Sequence, residues 1–272
     1  MGTLPAAGSR PEASTSALRG ARERKRSMWP REHGVYAQLG FPLVGAVGLT
    51  GPTVKGLSLA LAFVLVFLAH EPFLVLSGRR GARARAEAGG RAKRWCVLYL
   101  LLAAAAAAWG FAKADAASRW ALVALVPGAA GLAMLVSRGL EKTLLGESTV
   151  SVLTAAVSVP VGWSSGGEKS VVLYMAAVWA TVGVLGTLGV QSILQDRRGG
   201  VGSLRPVTAS LALFAWSMSL GVAWVRPLAP GSAVIFVLTM AGVHPRHLRR
   251  VGLTMVAAYA MTLVMLWLRN TS

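Results

Sequence analysis

Apolar residues follow one another along this chain in long runs that are separated by short polar stretches. Several runs approach the ~20 residues that an α-helix needs to cross a bilayer, whereas a β-barrel would show short alternating strands. Hydropathy therefore predicts an all-α membrane protein with about nine transmembrane helices. The predicted segments lie near 35–53, 56–77, 95–112, 119–137, 148–163, 170–194, 206–225, 231–243 and 251–268.

The first 28 residues differ from the rest of the chain. Residues 1–28 are rich in Ser, Ala, Gly, Arg and Pro, which predicts a disordered basic tail in the cytoplasm. No apolar core follows the basic residues within this tail, so the pattern is not that of a cleavable signal peptide. Residues 29–272 are predicted to form one polytopic helical membrane domain.

Composition agrees with a membrane protein, and charge indicates its orientation. Hydrophobic residues make up 54% of the chain and charged residues 14%, against about a quarter charged in soluble domains. With the N-terminus in the cytoplasm, 22 of the 28 Lys and Arg residues lie inside and 6 outside. The positive-inside rule then predicts a C-terminus outside. Anionic membrane lipids account for the net charge of +18, and no nucleic-acid motif accompanies it.

A polar group stands where the basic tail meets the first apolar run, in WPREHGVYAQLGFPLVG (29–45). Arg31, Glu32 and His33 come first, and Tyr36 and Gln38 follow just inside the run. Membrane helices usually begin more simply, with Lys, Arg and Trp. We therefore predict that this group forms one lip of a cytoplasm-facing polar pocket.

A second polar group lies near the end of the second segment. His70 and Glu71 come about eight residues before a basic loop, on the order of 12 Å along a helix. Pro72 follows and removes a backbone donor. Because ionisable groups in lipid are costly and are functional candidates, the pair is predicted to form the floor of that pocket. The alternative is a shallower helix end at which both side chains snorkel to the surface.

Small and hydroxyl residues recur inside the apolar runs. In GVLGTLG (183–189), three glycines on one side of the sixth segment predict a close approach of other helices. Ser151, Thr154 and Ser158 share one face of the fifth segment. This face either forms interhelical hydrogen bonds or lines a cavity.

The segment at the first helix mouth resembles the YwiC-like family of bacterial membrane proteins. That family opens with a Pro-x-x-His-Gly-aromatic-Ala pattern and a later Pro, and LRRVGL (248–253) fits it as well. The resemblance implies a bacterial cytoplasmic (inner) membrane. The matching residues are Pro30, His33, Gly34, Tyr36, Ala37 and Pro42.

A more distant resemblance is to the UbiA-type intramembrane prenyltransferases, which have nine helices and two Asp-rich motifs that hold Mg²⁺ and a prenyl diphosphate. QDRRGG (195–200) is similar to the end of their second motif, at Asp196, Arg197 and Gly200. The first motif would fall on His70 and Glu71. One carboxylate per motif remains here. Since Mg²⁺ is held through carboxylates and substrate phosphates, the missing Asp residues weaken the prediction of Mg²⁺, and the identity of any cofactor stays undecided.

These resemblances imply a UbiA-like bundle and two alternative functions. A degenerate transferase on a lipidic substrate would use His33, His70, Glu71 and Asp196 in catalysis, with Glu71 and Asp196 holding any metal. The alternative is a non-catalytic protein that binds or transports a lipid, an isoprenoid, a quinone or a haem-like ligand, or that assists assembly of a membrane complex. No oligomeric state is predicted. In either function the substrate or ligand would contact Arg31, Glu32, Tyr36, Gln38 and Arg197.

Overall fold

The protein is an all-helical bundle. The computed structural model describes residues 33–197, 204–241 and 247–271; 89% of these residues are helical and none lies in a strand. The helices are α1 His33–Thr50, α2 Val54–Leu76, α3 Ala82–Lys113, α4 Ala116–Ser137, α5 Leu144–Ala156, α6 Ser158–Ser164, α7 Lys169–Arg197, α8 Arg205–Gly221, a 3₁₀ turn Ala223–Leu228, α9 Ala229–Met240 and α10 Leu248–Thr271.

Each of the nine predicted apolar segments coincides with helix in the structure. Seven helices in the described part of the chain are long and apolar enough to cross a membrane, with α5 and α6 counted as one and the 3₁₀ turn joined to α9. The other two predicted segments correspond to α1, with 18 residues, and α8, with 17 residues. The all-α membrane class is thus confirmed, and nine is an approximate number of spans.

The structure differs from the prediction at two segments. The third was predicted too short, and the fifth consists of two helices instead of one. Helix α3 begins at Ala82, although a loop was predicted as far as residue 94. Ala88 and Ala92 of this extension pack on Val75 of α2. The fifth segment divides at Val157. Pro160 lacks the N–H that would bond to the carbonyl of residue 156, so the helical hydrogen-bond pattern is interrupted next to this break.

Helix boundaries follow from local chemistry. The Thr53 and Thr143 hydroxyls accept hydrogen bonds from backbone N–H groups three residues later, and both cap helices. Asp115 caps α4 in the same way. Hydrogen bonds from Ser118 hold the pKa of the Asp115 carboxyl below its usual range. At Gly139, φ is 73°, a conformation in which glycine is favoured because it has no Cβ.

The core forms around α7. Trp179 of α7 stacks on Tyr259 of α10 with ring centroids 5.5 Å apart, and Phe41 of α1 lies 5.8 Å from the Tyr259 ring. The predicted close approach at the α7 glycines is confirmed. A Cβ at Gly186 would lie 2.9 Å from the end of the Met255 side chain of α10, and one at Gly183 would lie 3.0 Å from Ser151 Cβ of α5, so both helices come close to α7 at its glycines.

Contacts between elements show which helix ends lie together. Arg79, just after α2, donates to the carbonyl of Ser137 at the end of α4. Hydrogen bonds also join α5 to α1 and to α7. The starts of α1 and α5 and the end of α7 therefore lie at this same end of the bundle. At the opposite end of the bundle, Arg269 of α10 lies over the rings of Tyr174 and Trp224, 4.1 and 4.3 Å from their centroids. We call the first end, where α2, α4 and α7 terminate, the basic end.

Candidate functional site

A buried ion pair lies at the basic end. Glu71 is 6% exposed and accepts two hydrogen bonds from Arg80, with Nε to Oε1 at 3.0 Å and Nη2 to Oε2 at 2.5 Å. The turn between α2 and α3 brings Arg80 back over the last part of α2. The Arg80 side chain remains 33% exposed. A bidentate pair of this kind fixes the guanidinium in one orientation.

Two tyrosines accompany the ion pair. The Tyr36 ring of α1 packs edge-on against Phe67 of α2, with centroids 5.3 Å apart. Tyr36 is also within electrostatic range of both Glu71 and Tyr99 of α3. Tyr99 in turn stacks on Trp95 at 5.4 Å. Trp and Tyr are enriched at membrane–water interfaces, and these rings lie near the basic end of the bundle.

His70 and Glu71 lie on different sides of α2. Glu71 is buried against the bundle, whereas His70 is exposed on the outer face of the helix. Consecutive residues are separated by about 100° around a helix axis, since a turn holds 3.6 residues. Glu71 lies five residues before the end of α2, or roughly 8 Å along the axis. It is therefore nearer the helix end than the sequence analysis placed it, and α2 continues through Pro72.

Of the other predicted site residues, some lie outside the described part of the chain and others are placed by their backbone only. Arg31 and Glu32 lie outside the described residues. His33 begins α1, and Asp196 and Arg197 end α7, so their backbones lie at the basic end. The assignment of these five residues to a site stays a prediction.

Gln38 belongs to a polar group in the interior of the bundle. Its Nε2 donates to Ser151 Oγ at 3.3 Å, and Ser151 Oγ lies 3.0 Å from Thr187 Oγ1. Nearer the basic end, Gln191 Nε2 donates to a Glu147 carboxylate oxygen at 2.8 Å. The predicted interhelical bonding of Ser151 is confirmed, whereas Thr154 bonds to carbonyls of its own helix.

Sequence reasoning missed three members of this interior group. They are Glu147, Thr187 and Gln191. A signal was present for two of them, because Thr187 and Gln191 are one helical turn apart and follow the Gly183 face of α7. For Glu147 no signal was clear, since it stood in a predicted loop.

The described residues offer little open volume and no carboxylate cluster. A small cleft between α7, α9 and α10 is lined by apolar side chains, among them Ile193, Ile235 and Met255. In the described part of the chain, no three His, Cys, Asp or Glu side chains converge as a metal site would require. Both oxygens of Glu71 are bonded to Arg80. A metal ligated by Glu71 would compete with that guanidinium.

The described part of the chain has no strand and holds seven apolar helices of membrane length, with buried hydrogen bonds between helices, so this is a polytopic membrane protein. The family model of YwiC-like proteins matches residues 29–162, which span α1 to α6. Residues 29–162 are thus similar to the YwiC-like family, and the resemblance based on the first helix mouth is confirmed. No curated protein and no solved structure matches the chain, and the resemblance to UbiA-type prenyltransferases is not confirmed.

Proposed function

We propose that this protein binds an amphipathic lipidic ligand, such as an isoprenoid, a quinone or a haem-like molecule, with its polar head at the basic end of the bundle. The observation that carries the proposal is the buried Glu71–Arg80 pair beside Tyr36. A structural pair of this kind contributes little stability by itself, because burying both charges costs about as much as their attraction returns. A buried ion pair at this position is therefore better explained by recognition of a ligand than by a contribution to stability.

The chemistry of the pair indicates the kind of head group. Arg80 is held by Glu71 and is one-third exposed, and a fixed guanidinium binds a carboxylate, a phosphate or a carbonyl oxygen with defined geometry. Tyr36 and Tyr99 add hydroxyl groups at the same level, and α3 exposes large apolar side chains from Trp95 onwards. Arg31, Glu32 and Arg197 would complete the mouth of the site.

A second candidate function is a degenerate transferase of the UbiA type. It is favoured by Asp196 and Arg197, which end α7 at the same end of the bundle as Glu71. In this function Glu71 and Asp196 would hold Mg²⁺, and His33 and His70 would transfer protons. The bidentate bonding of Glu71 to Arg80 favours ligand binding instead, because it occupies both carboxylate oxygens. Turnover of a prenyl diphosphate that depends on Mg²⁺ would decide for the transferase.

Retention of a co-purified ligand tests the binding function. We expect mass spectrometry of the gently purified protein to find a lipidic molecule, and Glu71→Gln to lower its amount several-fold because the guanidinium loses its charged partner. The matched control is Glu87→Gln, which breaks an exposed pair with Arg83 on α3 and should leave retention unchanged. Equal retention in wild type and Glu71→Gln, at equal thermal stability, would exclude this site.

We also propose that the chain lies in the bacterial cytoplasmic membrane with its basic end towards the cytoplasm. The basic residues of the α2–α3 turn and of the start of α3 support this orientation, since Lys and Arg collect on the cytoplasmic side. A reporter fused after Ser272 should then be active outside the cytoplasm. One inserted near Gly81 should be active inside. A cytoplasmic reading after Ser272 would contradict an odd number of spans with the N-terminus inside.

A further inference from the structure

Oxygen-bearing side chains from four helices meet in the interior of the bundle beside Gly183. Ser151 Oγ of α5 lies 3.0 Å from Thr187 Oγ1 of α7 and 3.1 Å from the carbonyl oxygen of Glu147. The Gln38 amide of α1 reaches Ser151 at 3.3 Å and is also within hydrogen-bonding reach of the Tyr259 hydroxyl of α10. We call these side chains of Gln38, Ser151, Thr187 and Tyr259, with the Glu147 carbonyl, the hydroxyl cluster.

The hydroxyl cluster is almost fully removed from solvent. Ser151, Thr187 and Tyr259 are 2%, 4% and 3% exposed. The absence of a side chain at Gly183 gives the cluster its room, because a Cβ there would lie 3.4 Å from the Tyr259 hydroxyl and 3.5 Å from Ser151 Oγ. On the side away from the basic end, the stacked ring of Trp179 closes the cluster. An aromatic ring therefore bounds the cluster on the side away from the basic end.

A carboxylate, that of Glu147, lies on the side of the hydroxyl cluster that is nearer the basic end. Glu147 lies in the first turn of α5, and its carboxylate accepts a hydrogen bond from Gln191 at 2.8 Å. Gln191 also approaches the carbonyl oxygen of Lys142 at 3.4 Å. In a medium of low dielectric constant a carboxylate one helical turn away raises the affinity of neighbouring oxygens for a cation.

We infer that the hydroxyl cluster binds a monovalent metal cation. Its donors are hydroxyl, amide and carbonyl oxygens, the ligands that hard cations prefer, and a divalent cation would ordinarily take several carboxylates. Oxygens 3.0 to 3.1 Å apart can share one ion at the ~2.3–2.6 Å distances of oxygen ligands. Buried carbonyl and hydroxyl oxygens between membrane helices replace the hydration shell of such ions in channels and transporters.

The amide of Gln38 permits both states of the cluster. Its nitrogen and oxygen can exchange places by rotation of the amide, so that it donates to Ser151 without an ion and offers its oxygen to a bound one. The hydroxyls of Ser151 and Thr187 can rotate in the same way. The inference does not rest on the lipidic ligand proposed for the Glu71 site, because neither Glu71 nor Arg80 belongs to the hydroxyl cluster.

Binding of Na⁺, used as the probe, tests the inference on the purified full-length protein. We expect NaCl that replaces choline chloride at constant ionic strength to raise the thermal unfolding midpoint with saturation, because an ion that binds only the folded state stabilises it. Binding of ²²Na⁺ should saturate over the same range of concentration. An unfolding midpoint that is insensitive to this exchange, together with no saturable ²²Na⁺ binding, would overturn the inference.

Variants locate the ion at the hydroxyl cluster. Ser151→Ala and Thr187→Val should each raise the half-saturating Na⁺ concentration by about tenfold or more, as loss of a supporting group does at other metal sites. Thr154→Ala is the matched control, since Thr154 bonds only to carbonyls of α5 in the described contacts; it should bind Na⁺ as wild type does. If folded Ser151→Ala and Thr187→Val both bind Na⁺ with unchanged affinity, the cluster only joins the helices.

Discussion

Replacing Arg80 with Ala should destabilise the bundle more than removal of any other basic residue of the α2–α3 turn. The change leaves the Glu71 carboxylate, which is 6% exposed, without the guanidinium that now bonds both its oxygens. Breaking a buried ion pair by removing one partner costs about 3 kcal/mol or more, because the remaining charge is desolvated and unpaired. Thermal and denaturant unfolding in detergent should show this loss.

Two further variants show whether the loss of stability comes from the unpaired buried charge or from the loss of a long side chain. The double variant Arg80→Leu/Glu71→Leu removes both charges and should recover most of the stability. Arg83→Ala breaks the exposed pair between Arg83 and Glu87, whose side chains are 76% and 63% exposed, and should leave the unfolding midpoint nearly unchanged because solvent screens such a pair. If Arg80→Ala is no more harmful than Arg83→Ala, Glu71 is not held in the buried pair.

The apolar segments could be predicted because each depends on a local property of the chain. A run of about 20 apolar residues is helical in a membrane whatever its neighbours are, since every backbone polar group must be satisfied within the segment. The start of α3 was missed because it lacks this local property. Residues 82–94 are basic and small rather than apolar, and their helix is stabilised by packing of Ala88 and Ala92 on α2.

The candidate site depends on helix rotation, which local composition does not determine. His70 and Glu71 were predicted to face one pocket together, and this prediction stays untested as a functional assignment. The structure places Glu71 inwards and His70 outwards, because packing of α2 against α3 and α6 fixes the rotation of the helix. Arg80 was counted only as one of many cytoplasmic charges. Its pairing with Glu71 needs the glycine-containing turn after α2 to fold back.

The interior polar group shows a second limit. Ser151 could be recognised from its spacing with Thr154 and Ser158, but its partners Gln38 and Thr187 are 113 and 36 residues away. Contacts over such separations follow from the order in which helices pack. A glycine such as Gly183 indicates that some helix comes close, without indicating which one.

Gly146→Ala should be the most disruptive single methyl group added to α5. A Cβ at this position would lie 2.4 Å from the carbonyl oxygen of Leu140 and 2.8 Å from that of Glu141. Both are backbone atoms, so no side chain can rotate away, and the connection from α4 must move. We expect a loss of about 2 to 3 kcal/mol of unfolding free energy, the upper part of the range for added volume in a packed site.

The movement should also reach the interior polar group, because Glu147 follows Gly146 directly and bonds to Gln191. The unfolding midpoint in detergent measures the cost. Gly131→Ala on α4 is the matched control. No atom lies within 4 Å of a Cβ at Gly131, and replacing a helical glycine with Ala at an open position stabilises by roughly 0.5–1 kcal/mol. Opposite signs for the two variants are the expected result, and a neutral or stabilising Gly146→Ala would contradict the close packing of the α4–α5 connection against α5.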